Sequence, residues 1–155
     1  MNLLKFPVFL CFLLLITFQS CRNEKKQGEE RSLENALSTF ELEDGFQIEH
    51  IAGEPLISDP VDMEIDEFGR LYVVEMHGYP LDKSGTGKIK LLSDTDGDGM
   101  MDQSIVFAEG LMLPTGIMRW KNGVIVTDPP NVFYLEDSDG DGKSDVKEIM
   151  LTGFA

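Results

Sequence analysis

Cysteine is scarce in this chain. The 155 residues contain two, Cys11 and Cys21. Cys11 lies inside an apolar run, Val8 to Ile16, that follows the lone basic residue Lys5. A short positive start and an uncharged apolar core make an export signal, and cleavage would carry Cys11 away with it. Cys21 is then left without a partner, which excludes an internal disulfide and makes metal the expected staple. Long hydrophobic runs are lacking as well. Val8 to Ile16 is too short for a comfortable membrane span. Basic residues are few, 13 against 28 acidic ones, and every acidic residue lies after Cys21. So acidic a chain repels a phosphate backbone, which excludes nucleic acid as a partner. Histidine is limited to His50 and His77, and no Cys-x-x-Cys-His stretch is present, which excludes a c-type haem site.

The small and polar residues leading to Ser20-Cys21, and the polar stretch Arg22 to Arg31 after it, follow the pattern of a bacterial lipoprotein signal. In that pattern Cys21 becomes the lipidated first residue and ties the protein to a membrane on the exported side of the cell envelope. Phe18 and Gln19 depart from the usual residues, and an ordinary cleaved signal or a free Cys21 is the alternative. Residues 22–39 are charged and nearly free of apolar side chains, so they read as a tether. A short helix near Ser32 to Phe40, with Ser32 as cap, would have little to bury.

What the chain has in plenty is aspartate, arranged twice in one pattern. Asp94-Thr95-Asp96-Gly97-Asp98-Gly99-Met100-Met101-Asp102 recurs as Asp137-Ser138-Asp139-Gly140-Asp141-Gly142-Lys143-Ser144-Asp145. Carboxylates at positions 1, 3, 5 and 9, with glycine at 6, let alternate side chains converge on one point. Calcium takes six to eight oxygen ligands in flexible geometry and suits such a loop better than magnesium. The candidate ligands are Asp94, Asp96, Asp98 and Asp102 in the first loop, and Asp137, Asp139, Asp141 and Asp145 in the second. The alternative is a pair of soluble Asp-Gly turns, in which four carboxylates per loop would repel one another unrelieved.

The recurrence, 43 residues from Asp94 to Asp137, extends beyond the loops. Pro60 matches Pro114, Gly69 matches Gly123, and Leu71-Tyr72-Val73 matches Ile125-Val126-Thr127. Lys88 to Asp94 matches Asn131 to Asp137, Val106-Phe107 matches Ile149-Met150, and Gly110 matches Gly153. Strand patterns fall at Val61–Asp66, Leu71–Val74, Ile89–Leu92 and Ser104–Phe107. Gly45 to Ala52 alternates apolar and polar residues like a half-buried strand, with His50 on its solvated side. Four antiparallel strands per repeat make an all-β chain of β-propeller blades, blade 1 at about 60–111 and blade 2 at about 114–155. A β-sandwich of two similar hairpin pairs is the alternative. An EF-hand is disfavoured, because strand patterns rather than helices flank both loops.

In a blade of strands A to D, the A–B and C–D connections leave one end and the B–C and D–A connections leave the other. The acidic loops are C–D connections. The first unit's extra stretch, His77 to Gly87, is a B–C connection. Metal and insertion therefore belong at opposite ends, and the metal reads as a hairpin staple.

Several motifs carry a family resemblance: Gly45-Phe46-Gln47-Ile48-Glu49, Ala52-Gly53-Glu54-Pro55-Leu56, Asp59-Pro60-Val61, Asp66 to Met76, Gly78-Tyr79-Pro80, Leu113-Pro114-Thr115-Gly116-Ile117, Thr127-Asp128-Pro129-Pro130-Asn131 and both acidic loops. Together, in residues 40–155, they resemble the opening of the putative membrane-bound dehydrogenase family, exported bacterial six-bladed propellers similar to soluble quinoprotein glucose and sorbosone dehydrogenases. The resemblance implies calcium, pyrroloquinoline quinone, a sugar or alcohol substrate and a cytochrome c electron acceptor. It also implies that Gly45 to Ala52 closes the last blade. Six blades need about 250 residues or more, so the chain reads as an N-terminal fragment, about two blades of six and inactive alone. The base of such an enzyme is a neutral imidazole beside the cofactor. His77, with Tyr79, Asp128 and Asn131 near it in the repeat frame, is the candidate, against the plainer reading of a surface loop histidine. The alternatives to a dehydrogenase are a non-catalytic calcium-stapled envelope propeller that binds glycans or proteins, and a calcium-dependent adhesive module.

Overall fold

The structure, a computed structural model, describes residues 33–154. The expected signal (1–21), Cys21 with its lipid, the helix cap Ser32 and most of the tether lie outside the described residues. Among the described residues no helix is long and apolar enough to cross a membrane. The chain divides into two compact units at Ile48/Glu49. The described part of the first carries one short helix, α1 (Leu33–Leu37). Turns close it, with the Thr39 N–H donating to Ala36 O and the Phe40 N–H to Leu37 O. A helix this short is below the length at which isolated helices persist.

The second unit is all-β. Its strands are β1 (Pro60–Ile65), β2 (Leu71–Glu75), β3 (Gly87–Ser93), β4 (Gln103–Leu111), β5 (Gly116–Trp120), β6 (Gly123–Asp128), β7 (Asn131–Glu136) and β8 (Val146–Thr152). They form two four-stranded antiparallel sheets, each a simple meander, β1-β2-β3-β4 and β5-β6-β7-β8. The order matches strands A to D of two propeller blades.

Each sheet buries apolar side chains on alternate positions, as the pleat requires. Tyr72, Val74, Ile89, Leu91, Phe107 and Leu111 of the first sheet pack on Ile117, Val124, Val126, Phe133 and Leu135 of the second. Tyr72 and Phe107 meet edge to face, centroids 5.0 Å apart. Polar links join the same junction. The Ile117 N–H donates to Asp62 Oδ2 at 2.9 Å, and Arg119 Nη2 bonds Glu67 Oε2 at 2.9 Å. The far face of the first sheet is also covered. There Leu71, Val73 and Leu92 pack under Ile51, Ala52, Leu56, Ile57 and Met101. The far face of the second sheet is not: Met118, Trp120 and Met150 are each nearly half exposed.

The register sharpens the repeat. The two C–D hairpins coincide residue for residue. Leu91 faces Ile105 as Tyr134 faces Glu148, and each hairpin carries its bulge at the same place, Ile89/Lys90 and Val132/Phe133. The A–B hairpins do not coincide. Leu71 pairs with Leu92 and Val124 with Leu135, so Leu71 corresponds to Val124, one residue short of the Ile125 that the sequence match selects. Matching the glycines causes the slip. Gly69 sits in the Asp66–Arg70 turn with φ of 79°. Gly123 instead begins β6, where an added Cβ would collide with Leu135 O. One glycine serves backbone conformation and the other close approach. The insertion in the first sheet is accordingly one residue shorter than the sequence match makes it.

Residues 45–52 are not a strand: a turn at 44–45 is followed by residues outside any ladder. Alternation alone does not make a strand, and Phe46 is exposed. Within the second unit, the part from Glu49 crosses the far face of the first sheet. The Met101 N–H donates to Ile51 O at 2.8 Å, just as the Ser144 N–H donates to Phe107 O at 2.7 Å. Ile51 thus stands against the first sheet where β4 stands against the second.

Candidate functional site

Each acidic loop is a self-ordered turn at the C–D end of its sheet. The first aspartate organises it. Asp94 Oδ1 accepts the Gly97 N–H at 2.7 Å and its Oδ2 accepts the Gly99 N–H at 2.9 Å. Asp137 does the same with Gly140 and Gly142, at 2.7 and 2.8 Å. All four glycines have positive φ, a conformation that glycine adopts without a Cβ penalty. The last aspartate closes the turn. Asp102 Oδ2 accepts the Thr95 hydroxyl at 2.6 Å, and Asp145 Oδ2 the Ser138 hydroxyl at 2.6 Å. The Asp102 N–H then donates to Ser93 O, and the Asp145 N–H to Glu136 O.

These bonds set the electrostatics. The Gly99 and Gly97 amides hold the Asp94 carboxyl below the usual carboxylate range. The Ser138 hydroxyl and amide do so for Asp145. Both stay ionised in mildly acidic solution. Ligand-capable oxygens of Asp94, Asp96 and Asp102 lie within 4.8 Å of one another, as do those of Asp137, Asp139 and Asp141. The fold therefore gathers three of the four expected residues in each loop. Asp98 stands outside the first group, its Oδ1 accepting the Met100 N–H at 2.8 Å. Asp145 stands outside the second, turned to Ser138. The donor set is entirely hard oxygen, which fits calcium or magnesium and not a soft metal.

The other end of the sheets carries a second repeated device. Glu75 and Asp128, 1% and 5% exposed, occupy equivalent positions at the end of strand B. Each carboxylate clips the connection that leads into strand A. The Ser58 N–H donates to Glu75 Oε1 at 2.8 Å. The Met112 and Leu113 N–H groups donate to Asp128 Oδ2 and Oδ1 at 3.0 and 2.7 Å. Buried carboxylates need such donors. The first sheet adds charge to the device. Lys90 Nζ lies 3.2 Å from Glu75 Oε1 and donates to Leu56 O at 2.8 Å. In the second sheet the position of Lys90 is taken by Phe133.

His77 belongs to this cluster. Its Nε2 is 3.1 Å from Glu75 Oε2 and its Nδ1 is 3.1 Å from Asp59 Oδ2. Of its expected neighbours, Tyr79 is exposed and lines an open hollow of about 500 Å3 with Asp59 and Met76. Asp128 and Asn131 belong to the second sheet's own connection, where Asn131 Oδ1 accepts the Thr152 hydroxyl at 2.7 Å. His50 is half-buried rather than solvated, and its Nδ1 is buried without a hydrogen-bond partner among the described residues. Ring atoms of His50 lie under Gly53, where a Cβ would come within 2.8 Å.

Sequence reasoning passed over Glu75 and Lys90. The available signal was an acid ending an otherwise apolar strand, Leu71-Tyr72-Val73-Val74-Glu75, with its counterpart at Asp128.

A profile of a domain of unknown function, DUF7133, matches residues 32–155. The chain belongs to the DUF7133 family. No curated protein matches it. The DUF7133 match takes in both sheets, both acidic loops and the Glu75 cluster, so these are features of one domain and not of separate modules.

Proposed function

We propose that this DUF7133 chain is the calcium-braced opening of an exported propeller of the quinoprotein sugar or alcohol dehydrogenase type, anchored through Cys21. The observation that carries the calcium assignment is the twofold occurrence of a carboxylate-gathering turn at the same place in two sheets, with loop positions 1, 3 and 9 gathered in the first and 1, 3 and 5 in the second. In the first loop Asp94, Asp96 and Asp102 would hold the ion, and in the second Asp137, Asp139 and Asp141. The ion would neutralise the mutual repulsion of the loop carboxylates and brace the hairpin below it. Its site is at the end away from His77, so its role here is structural. The dehydrogenase part of the proposal rests on the sequence resemblance. No step is assigned to pyrroloquinoline quinone.

A second reading, a non-catalytic calcium-stapled envelope propeller that binds glycans or proteins, is favoured by one observation. The candidate base His77 is engaged at both ring nitrogens.

Thermal unfolding with calcium and with chelator tests the brace. Calcium at a hundredfold excess over its Kd is expected to add about 2.7 kcal/mol for each occupied loop. Equal melting temperatures in calcium and in chelator would remove the assignment.

A further inference from the structure

The Asp59–His77–Glu75–Lys90 cluster is a chain of polar groups that the acidic-loop function does not use. Its members come from separate elements: Asp59 from the connection before β1, Glu75 from the end of β2, His77 from the insertion and Lys90 from β3. Asp59 has a left-handed backbone, φ of 47°, which a non-glycine residue adopts at a cost. That backbone is held from both sides. The Met76 N–H donates to Asp59 O at 3.1 Å, and the Asp59 side chain meets His77.

The chemistry of the ring follows from its partners. An imidazole carries two ring nitrogens and can bridge two polar groups. Both ring nitrogens of His77 face carboxylate oxygens. Glu75 is surrounded by donors, the Ser58 amide and the Lys90 ammonium both on Oε1, which matches a carboxylate that accepts on every side. The Asp59 side chain is 70% exposed.

We propose that His77 is a clasp, bridging from Asp59 at Nδ1 to Glu75 at Nε2, that pins the inserted β2–β3 connection down onto the end of the first sheet. Any ligand that uses the imidazole as a base must first displace Asp59. The second sheet, with Asp128 held by backbone amides alone, has no such clasp.

Two measurements on the full chain test this. In the first, the nitrogen-15 signals of the His77 ring should move in Asp59→Asn. Ring signals identical to those of the wild type would overturn the proposal. In the second, hydrogen exchange is compared in the wild type, His77→Gln and Asp59→Asn. The Met76 and Asp82 amides should exchange about tenfold faster in each variant, the expected cost of losing a charge-assisted bond. The β3 amides should be unchanged in Asp59→Asn. Unchanged exchange at Met76 in Asp59→Asn, which leaves the buried Glu75 contact in place, would overturn the clasp even if His77→Gln fails to fold.

Discussion

The two sheets share one hairpin and differ in the other. Strands C and D, their bulge and their acidic loop repeat bond for bond. The A–B turn, the B–C connection and the surroundings of the strand-B carboxylate do not. The conserved half is the half whose loop is ordered by its own side chains, so it keeps its shape whatever lies next to it. The divergent half meets different neighbours. The first sheet's far face is covered by the 49–59 connection, and Lys90 there reaches the Leu56 carbonyl. The equivalent Phe133 faces another sheet and stays apolar.

The largest expected break of this symmetry is in the junction. Phe107 and Met150 are equivalent, but Phe107 is 2% exposed and Met150 46%. Phe107→Ala should cost about 3–5 kcal/mol in denaturant unfolding, whereas Met150→Ala should stay within about 0.5 kcal/mol. Equal losses would mean that the far face of the second sheet is covered in solution.

A smaller contrast is expected at the strand-B carboxylates. Glu75→Ala leaves Lys90 without its buried partner and should cost about 3 kcal/mol. Asp128→Ala removes two amide bonds from a site with no buried cation and should cost about 2 kcal/mol. If the ranking reversed in a chemical melt, Lys90 would be satisfied by Leu56 O alone.

The smallest effect is one of pH. Asp94 and Asp145 are held below their ordinary carboxyl values, so their contribution is present above that ordinary range. It fades as pH falls through it toward the depressed folded values. Acid should therefore loosen both acidic loops, read as faster exchange of the Gly97 and Gly99 amides in the first and of the Ser138 amide in the second below about pH 4. Loosening in one loop only would break the equivalence.

Much of this fold was legible in the amino-acid pattern. The aspartate spacing marks the C–D hairpins because side-chain bonds there are local, and local bonds leave a spacing signature. The four strands of each sheet follow from alternation and turn residues. The slip between Leu71 and Val124 was not legible, because Gly69 and Gly123 look alike in sequence while serving conformation in one sheet and close approach in the other. Gly45 to Ala52 reads as a strand because alternation reports sidedness and not the presence of an edge to pair with. The Glu75 cluster was hidden because its four members are brought together only by the meander. Of the expected ligands, Asp98 and Asp145 fall outside the two gathered groups, although their counterparts Asp141 and Asp102 make the same turn bonds.

The central claim, one calcium in each of two equivalent loops, is tested most directly by calorimetric titration of the full chain with calcium. Wild type should bind two ions per chain. Asp96→Asn and Asp139→Asn should each bind one, and the double variant none. A wild-type chain that takes up no calcium at millimolar concentration, or single variants that lose both sites together, would contradict the account.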